Sequence, residues 1–104
     1  MKIQINHDAH VRPNEDSALQ IEAAVRLALS HFAQHVTDVE VHLSDENGSG
    51  VGQNDKRCLI EARLAGHQPI AVSEHGATVD EAMHGACAKL KQSVAKLVER
   101  SRDH

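Results

Sequence analysis

The chain has 104 residues, 40% of them hydrophobic and 25% charged, with a formal charge of −4 at pH 7, a size that lets one domain bury about two thirds of its unfolded surface without metal or disulfide support. Phe32 is its one aromatic residue, with no Trp or Tyr. The core must therefore come from Ile, Leu, Val and Ala, and the aromatic platforms of RRM-like or single-strand-binding modules are ruled out. Net acidity argues against a general nucleic-acid binder, no stretch is long and apolar enough to span a membrane, and the amino terminus lacks the apolar run of a signal peptide.

Lys2 to Asn6 alternates as a strand with Ile3 and Ile5 inward. His7 to Asn14 forms a loop, and Pro13 with Asn14-Glu15-Asp16-Ser17 starts a helix. Ile21, Val25, Leu29 and Phe32 then recur close to every four residues, which predicts an amphipathic helix of about four to five turns ending near His35. Val39, Val41 and Leu43, then Cys58, Ile60, Ala62 and Leu64, alternate with polar residues on either side of a polar segment. This is a half-buried hairpin, and Asn47-Gly48, Gly50 and Gly52 suit its long connection because they accept positive φ. Gly66-His67-Gln68-Pro69 turns the chain into a short strand, Ile70 to Ser73. Thr78-Val79-Asp80-Glu81 is a capping box, after which Val79, Met83, Ala86, Leu90, Val94 and Leu97 share one helical face.

The order β-α-β-β-β-α predicts a single α+β domain over residues 1–104, a four-stranded sheet with two helices packed on one face. The uncovered face would carry Gln4, Glu40, His42, Leu59, Glu61, Arg63 and Ser73, polar enough to stay in water.

The charge is unevenly spread. Residues 1–77 hold six cations against eleven anions, whereas from Lys89 to Arg102 only Glu99 opposes five cations. At 100° per residue Lys89, Lys96 and Arg100 lie on one flank of the apolar stripe, and Lys91 and Arg102 on the other. A basic end on an acidic domain can engage phosphate locally, although cations also suit the negative end of a helix dipole. Lys56-Arg57 at the hairpin fits either phosphate contact or protection of a sheet edge.

Cys58 and Cys87 both point inward by periodicity, which favours buried reduced thiols over a disulfide and a cytoplasmic location. Among nine histidines, His31 and His35 have a chelating i, i+4 spacing and His7 and His10 form a nearby pair, but no third ligand or recognised metal motif accompanies them. Protonating all nine near pH 6 would raise the charge to as much as +5 and strengthen RNA binding. Cys58, Cys87, Ser44, Asp45 and Glu46 are the conceivable catalytic groups, and no base or phosphate cradle stands beside them. No enzyme activity, cofactor or metal is expected.

The topology, the closing pattern Lys89-Leu90, Val94, Lys96-Leu97, and the hairpin residues Ser44 to Gly48, Asp55 to Cys58 and Glu61 to Arg63 together resemble the bacterial ribosome hibernation-promoting factors and ribosome-associated inhibitors. That group also carries the descriptions ribosomal subunit interface protein and sigma-54 modulation protein. The resemblance covers essentially the whole chain and implies a cytoplasmic stress or stationary-phase protein. It would bind ribosomal RNA phosphates of the small subunit as a monomer and occlude the tRNA and mRNA channel, with no DNA or membrane partner. The implied RNA-binding residues are Arg26, Lys56, Arg57, Lys89, Lys91, Lys96, Arg100 and Arg102. Five to seven phosphate contacts would give a salt slope of about −4 to −6. Ending at His104, the chain resembles the short form without an acidic tail or dimerising domain.

Departures from the family pattern are visible. Arg26 is the sole cation of the first helix, Gln92 and Val98 stand where relatives often carry cations, and the aromatic residue common near the start of the second helix is missing. The alternative is a protein-interaction or regulatory module of the same fold without tight ribosome binding. A histidine-based metal buffer is a further, weaker possibility.

Overall fold

Strand β1 (Lys2–His7) is followed by α1 (Glu15–Ala28) and a 3-10 helix (Ser30–His35), then β2 (Val36–Asp45), β3 (Lys56–Leu64), β4 (Ile70–Gly76) and α2 (Val79–Arg102). The computed structural model describes residues 1–8, 11, 15–45 and 56–102, with side chains through residue 100. The expected helix start at Pro13-Asn14 and the glycines of the hairpin connection lie outside those residues. The sheet order is β1-β2-β3-β4. β1 runs parallel to β2, joined through α1, and the other pairs are antiparallel.

Alternation sets what each face carries. Ile3 pairs with Val39, Val39 with Ala62, Val41 with Ile60, and Ile60 with Val72, so apolar side chains stack across the four strands on one face. Both helices cover that face: Ile21, Val25 and Leu29 from one side and Ala86, Leu90 and Val94 from the other are buried against the strands. Each fully buried Val, Leu or Ile side chain there contributes roughly 1.5–3 kcal/mol. The opposite face is uncovered and polar, as the alternation predicts: Gln4 lies opposite Glu40, Glu40 opposite Glu61, and Leu59 opposite Ser73.

The first helix differs from expectation. The α-helix ends at Ala28, and its final i→i−4 bond runs from Leu29 N–H to Val25 O (3.1 Å). Phe32 N–H then donates to Leu29 O (2.9 Å), an i→i−3 bond that opens the 3-10 segment. This tighter winding packs Phe32 against the core and delivers Val36, 4% exposed, into β2. Strands β2 and β4 are longer than the periodicity indicates, because pairing continues on both sides to Val36↔Leu64 and Lys56↔Gly76.

The capping box forms. Glu81 N–H donates to Thr78 Oγ1 (3.1 Å) and Glu81 Oε2 accepts from Ala77 N–H (3.0 Å), satisfying amides at the start of α2. Two glycines let α2 lie close on β4. A Cβ on Gly76 would meet Ala82 N at 2.7 Å, and one on Gly85 would meet Glu74 Cγ at 2.5 Å. Val98 is 4% exposed within the core, so the apolar stripe of α2 is wider than the sequence pattern implies and this position has no room for a cation.

Candidate nucleic-acid interface

The long α2 positions four of the candidate cations whose side chains are described, and the register of helix against sheet decides their surroundings. Lys89 faces β4. Its Nζ donates to Ser73 O (3.0 Å) and lies 3.1 Å from Glu74 Oε2. Glu74 is held below the usual carboxylate range, first by the His75 backbone N–H and then by Lys89. Lys89 is therefore a helix-to-strand strap with its charge already matched.

Further along the same flank, Lys96 and Arg100 are exposed and, among the described residues, have no ion-pair partner. They border an open groove of about 610 Å³ whose other wall is the β3–β4 turn, Gly66 to Pro69, with Ile70 and Leu97 also lining it. Gly66 adopts φ +80°, and the turn closes with His67 N–H donating to Leu64 O (3.2 Å). On the opposite flank Lys91 is exposed beside a groove between α1 and α2 that Leu27, His84 and Cys87 also line. Arg102 ends α2, and its side chain lies outside the described residues.

At the hairpin the two adjacent cations point to opposite faces of the sheet, as neighbours on a strand must. Lys56 is on the helix side, paired at 2.8 Å with Asp45, whose side chain is only 5% exposed. Arg57 is on the uncovered face, in register with His75. Asp8 ties this end together, its carboxylate accepting from Val11 N–H and Asp45 N–H (both 3.1 Å). Arg26 is also engaged: its Nη2 lies 2.9 Å from Glu22 Oε1 and its Nη1 reaches Met1 O at 3.5 Å.

The eight candidates thus do not form one patch. Arg26, Lys56 and Lys89 each carry a carboxylate partner, whereas Lys91 at the middle of α2 and Lys96 and Arg100 on its last turns have no ion-pair partner among the described residues. Periodicity did not select His67, Gln68 and Ser93 as site residues. They join Lys96 and Arg100 only because the β3–β4 turn folds back beside the helix. Arg63 is a further exposed cation without a partner among the described residues, on the uncovered face beside Lys2 and Asp38.

Groups with catalytic or metal potential are placed otherwise. Cys58 and Cys87 are free and buried, and burial pushes their thiols up to about 12 and about 11; the nearby Cys87 adds to the shift of Cys58. Such thiols are poor nucleophiles at neutral pH. His31 contacts Phe32 edge to face, and His10 and Glu46 lie outside the described residues. On the uncovered face His42 Nε2 sits 3.3 Å from Glu40 Oε2 and 3.6 Å from Glu61 Oε1. Among the described residues no group of three or more His, Cys, Asp and Glu side chains is arranged to hold a metal ion, and no helix is long and apolar enough to cross a membrane.

Residues 9–102 match the family model described as sigma 54 modulation protein / S30EA ribosomal protein. Among solved structures, the N-terminal domain of Protein Y from Thermus thermophilus superposes with a TM-score of 0.75 at 18% identity, covering 93% of this chain and 99% of that one. A ribosomal subunit interface protein from Coxiella burnetii superposes with a TM-score of 0.78 at 12% identity, covering 95% and 99%. At these identities the likeness is one of fold. No curated protein matches the sequence.

Proposed function

The chain belongs to the sigma 54 modulation protein / S30EA ribosomal protein family, and on that premise we propose that it is a ribosome-associated translation inhibitor that binds the small subunit and occludes the tRNA and mRNA channel under stress or in stationary phase. The observation that carries this reading is the set of three exposed cations, Lys91, Lys96 and Arg100, that have no ion-pair partner among the described residues and lie on the flanks of α2. Inhibition is steric and needs no chemistry: the cations hold ribosomal RNA phosphates, and a folded domain fills space that other RNAs need. The protein acts in the cytoplasm as a monomer on the ribosome. Arg26, Lys56, Lys89 and Arg57 stand as secondary contacts, with Arg26, Lys56 and Lys89 exchanging a carboxylate partner for phosphate.

With three principal phosphate contacts, the slope of log K against log salt is about −2 to −3, shallower than a full set of candidate cations would produce. Co-sedimentation with isolated small subunits and whole ribosomes over a salt series tests this, beside the Lys96→Glu/Arg100→Glu variant. Binding that weakens with salt and is lost in the variant is expected; absence of binding at low salt overturns the reading. The runner-up is a regulatory module that binds another protein. It is favoured by the acid-paired state of Arg26, Lys56 and Lys89, which lowers the charge available to RNA, and salt-insensitive association with a single protein would identify it.

A further inference from the structure

We propose that the groove between the β3–β4 turn and the last turns of α2 binds one nucleoside phosphate, either a free mononucleotide or an unpaired nucleotide of an RNA strand. The inference rests on the functional reading above and narrows it to a particular pocket and ligand unit. Its volume of about 610 Å³ falls within the range of small-ligand sites. The contents of its walls match the parts of a nucleotide. Lys96 and Arg100, one helical turn apart and without partners among the described residues, supply adjacent donors for a phosphate. Ile70, Leu97 and Pro69 offer an apolar surface for a ribose or base, and Ser93 and Gln68 offer hydrogen-bonding groups for its polar edge.

His67 and the Arg100 guanidinium are flat groups on which a base can stack, in a chain whose single Phe packs against the core. Glu99, the one anion between these two cations on α2, is not among the lining residues. The pocket holds one unit: a single small cleft cannot stack successive bases as extended single-strand platforms do.

The test is a titration of the isotopically labelled full chain, followed through the backbone amide resonances of Gly66, His67, Ser93 and Leu97. The probes are guanosine and adenosine 5′-monophosphates, inorganic phosphate, a single-stranded RNA trinucleotide, and the same sequence held in a duplex. Saturable shifts confined to the groove are expected from a mononucleotide, the trinucleotide or both, with weaker response to inorganic phosphate and to duplex. Each of the two charged contacts accounts for roughly tenfold in affinity, so Lys96→Gln/Arg100→Gln, both on the surface, loses about a hundredfold with an unchanged thermal unfolding curve. Response to the trinucleotide alone assigns the ligand to RNA, and response to mononucleotides assigns it to the free pool. No saturable shift from either, an equal response to inorganic phosphate, or an unaltered response in the variant overturns the pocket. Ribosome co-sedimentation separates the two readings: ribosome binding with a silent groove refutes only the pocket, and a responsive groove without ribosome binding refutes only the translational role.

Discussion

Lys56 Nζ lies 2.8 Å from Asp45 Oδ2, directly across the end of the β2–β3 hairpin, where the aspartate side chain is 5% exposed and the lysine 27%. A carboxylate so far withdrawn from water needs a cation beside it, so this pair serves the hairpin before it serves any partner. Lys56→Gln removes the cation beside this buried carboxylate and is expected to destabilise the protein by about 1–3 kcal/mol, toward the low end because one partner still reaches solvent. Asp45→Asn costs less, since Lys56 can turn outward. Urea unfolding of the two single variants and the double variant measures this, and an unchanged midpoint for Lys56→Gln would show that other groups satisfy Asp45.

Lys89 and Lys96 look equivalent on a helical wheel, yet Lys89 is committed to Ser73 O and Glu74. Charge reversal at Lys96 is therefore expected to weaken ribosome binding more than reversal at Lys89, whose larger effect falls on the α2–β4 contact. The Glu74 carboxyl reports that contact. It should titrate below the ordinary range in the native protein, and move up in Lys89→Met without recovering fully, because the His75 N–H still donates to it. A group depressed in this way adds stability above its unfolded titration range and loses that stability as pH falls through its folded value. Carboxyl-detected NMR titration of both proteins decides the matter.

Burial pushes both thiols above the ordinary thiol value of 9.0, Cys58 up to about 12 and Cys87 up to about 11. The unfolded state loses its thiol protons first as pH rises, so stability is intact below about pH 9 and declines as pH climbs toward the folded values. Cys58→Ala removes part of that slope in unfolding curves recorded from pH 8 to 11, even though it lowers stability at neutral pH. Native protein should also react slowly with a disulfide reagent at pH 8 and rapidly in urea; fast labelling of the native chain would contradict the burial.

Gly76→Ala is expected to destabilise by about 1–3 kcal/mol, because the new methyl meets Ala82 N and Glu81 Cβ in the rigid first turn of α2. Gly85→Ala should change stability less. It gains roughly 1 kcal/mol of helix propensity while pushing aside the Glu74 side chain, and the clearest sign is loss of the low Glu74 titration. Thermal unfolding of both variants, with the Glu74 titration of the second, checks the pair.

Strand alternation, the four-residue recurrence of Ile21, Val25 and Leu29, and the Thr78 to Glu81 capping box are local signals, and each is present in the folded chain because local geometry alone produces it. The polar face of the sheet was legible for the same reason: side chains on a strand have only two directions. The 3-10 segment was not, because Leu29 and Phe32, three apart, fit either winding, and the choice is made by where Phe32 and Val36 must reach the core. Nor was the burial of Val98, which depends on how deeply the end of α2 sits against the strands.

Sequence therefore specified the elements, the wet and dry faces, and the two basic flanks of the last helix, all set by spacing along one element. Which cations remain available was decided by tertiary structure. Glu74 neutralises Lys89 from fifteen residues away, Asp45 neutralises Lys56 across the hairpin, and the β3–β4 turn makes a groove with Lys96 and Arg100. Charge pairing falls off with distance through space, and only the packing of α2 on β4 and the register of β2 with β3 set those distances.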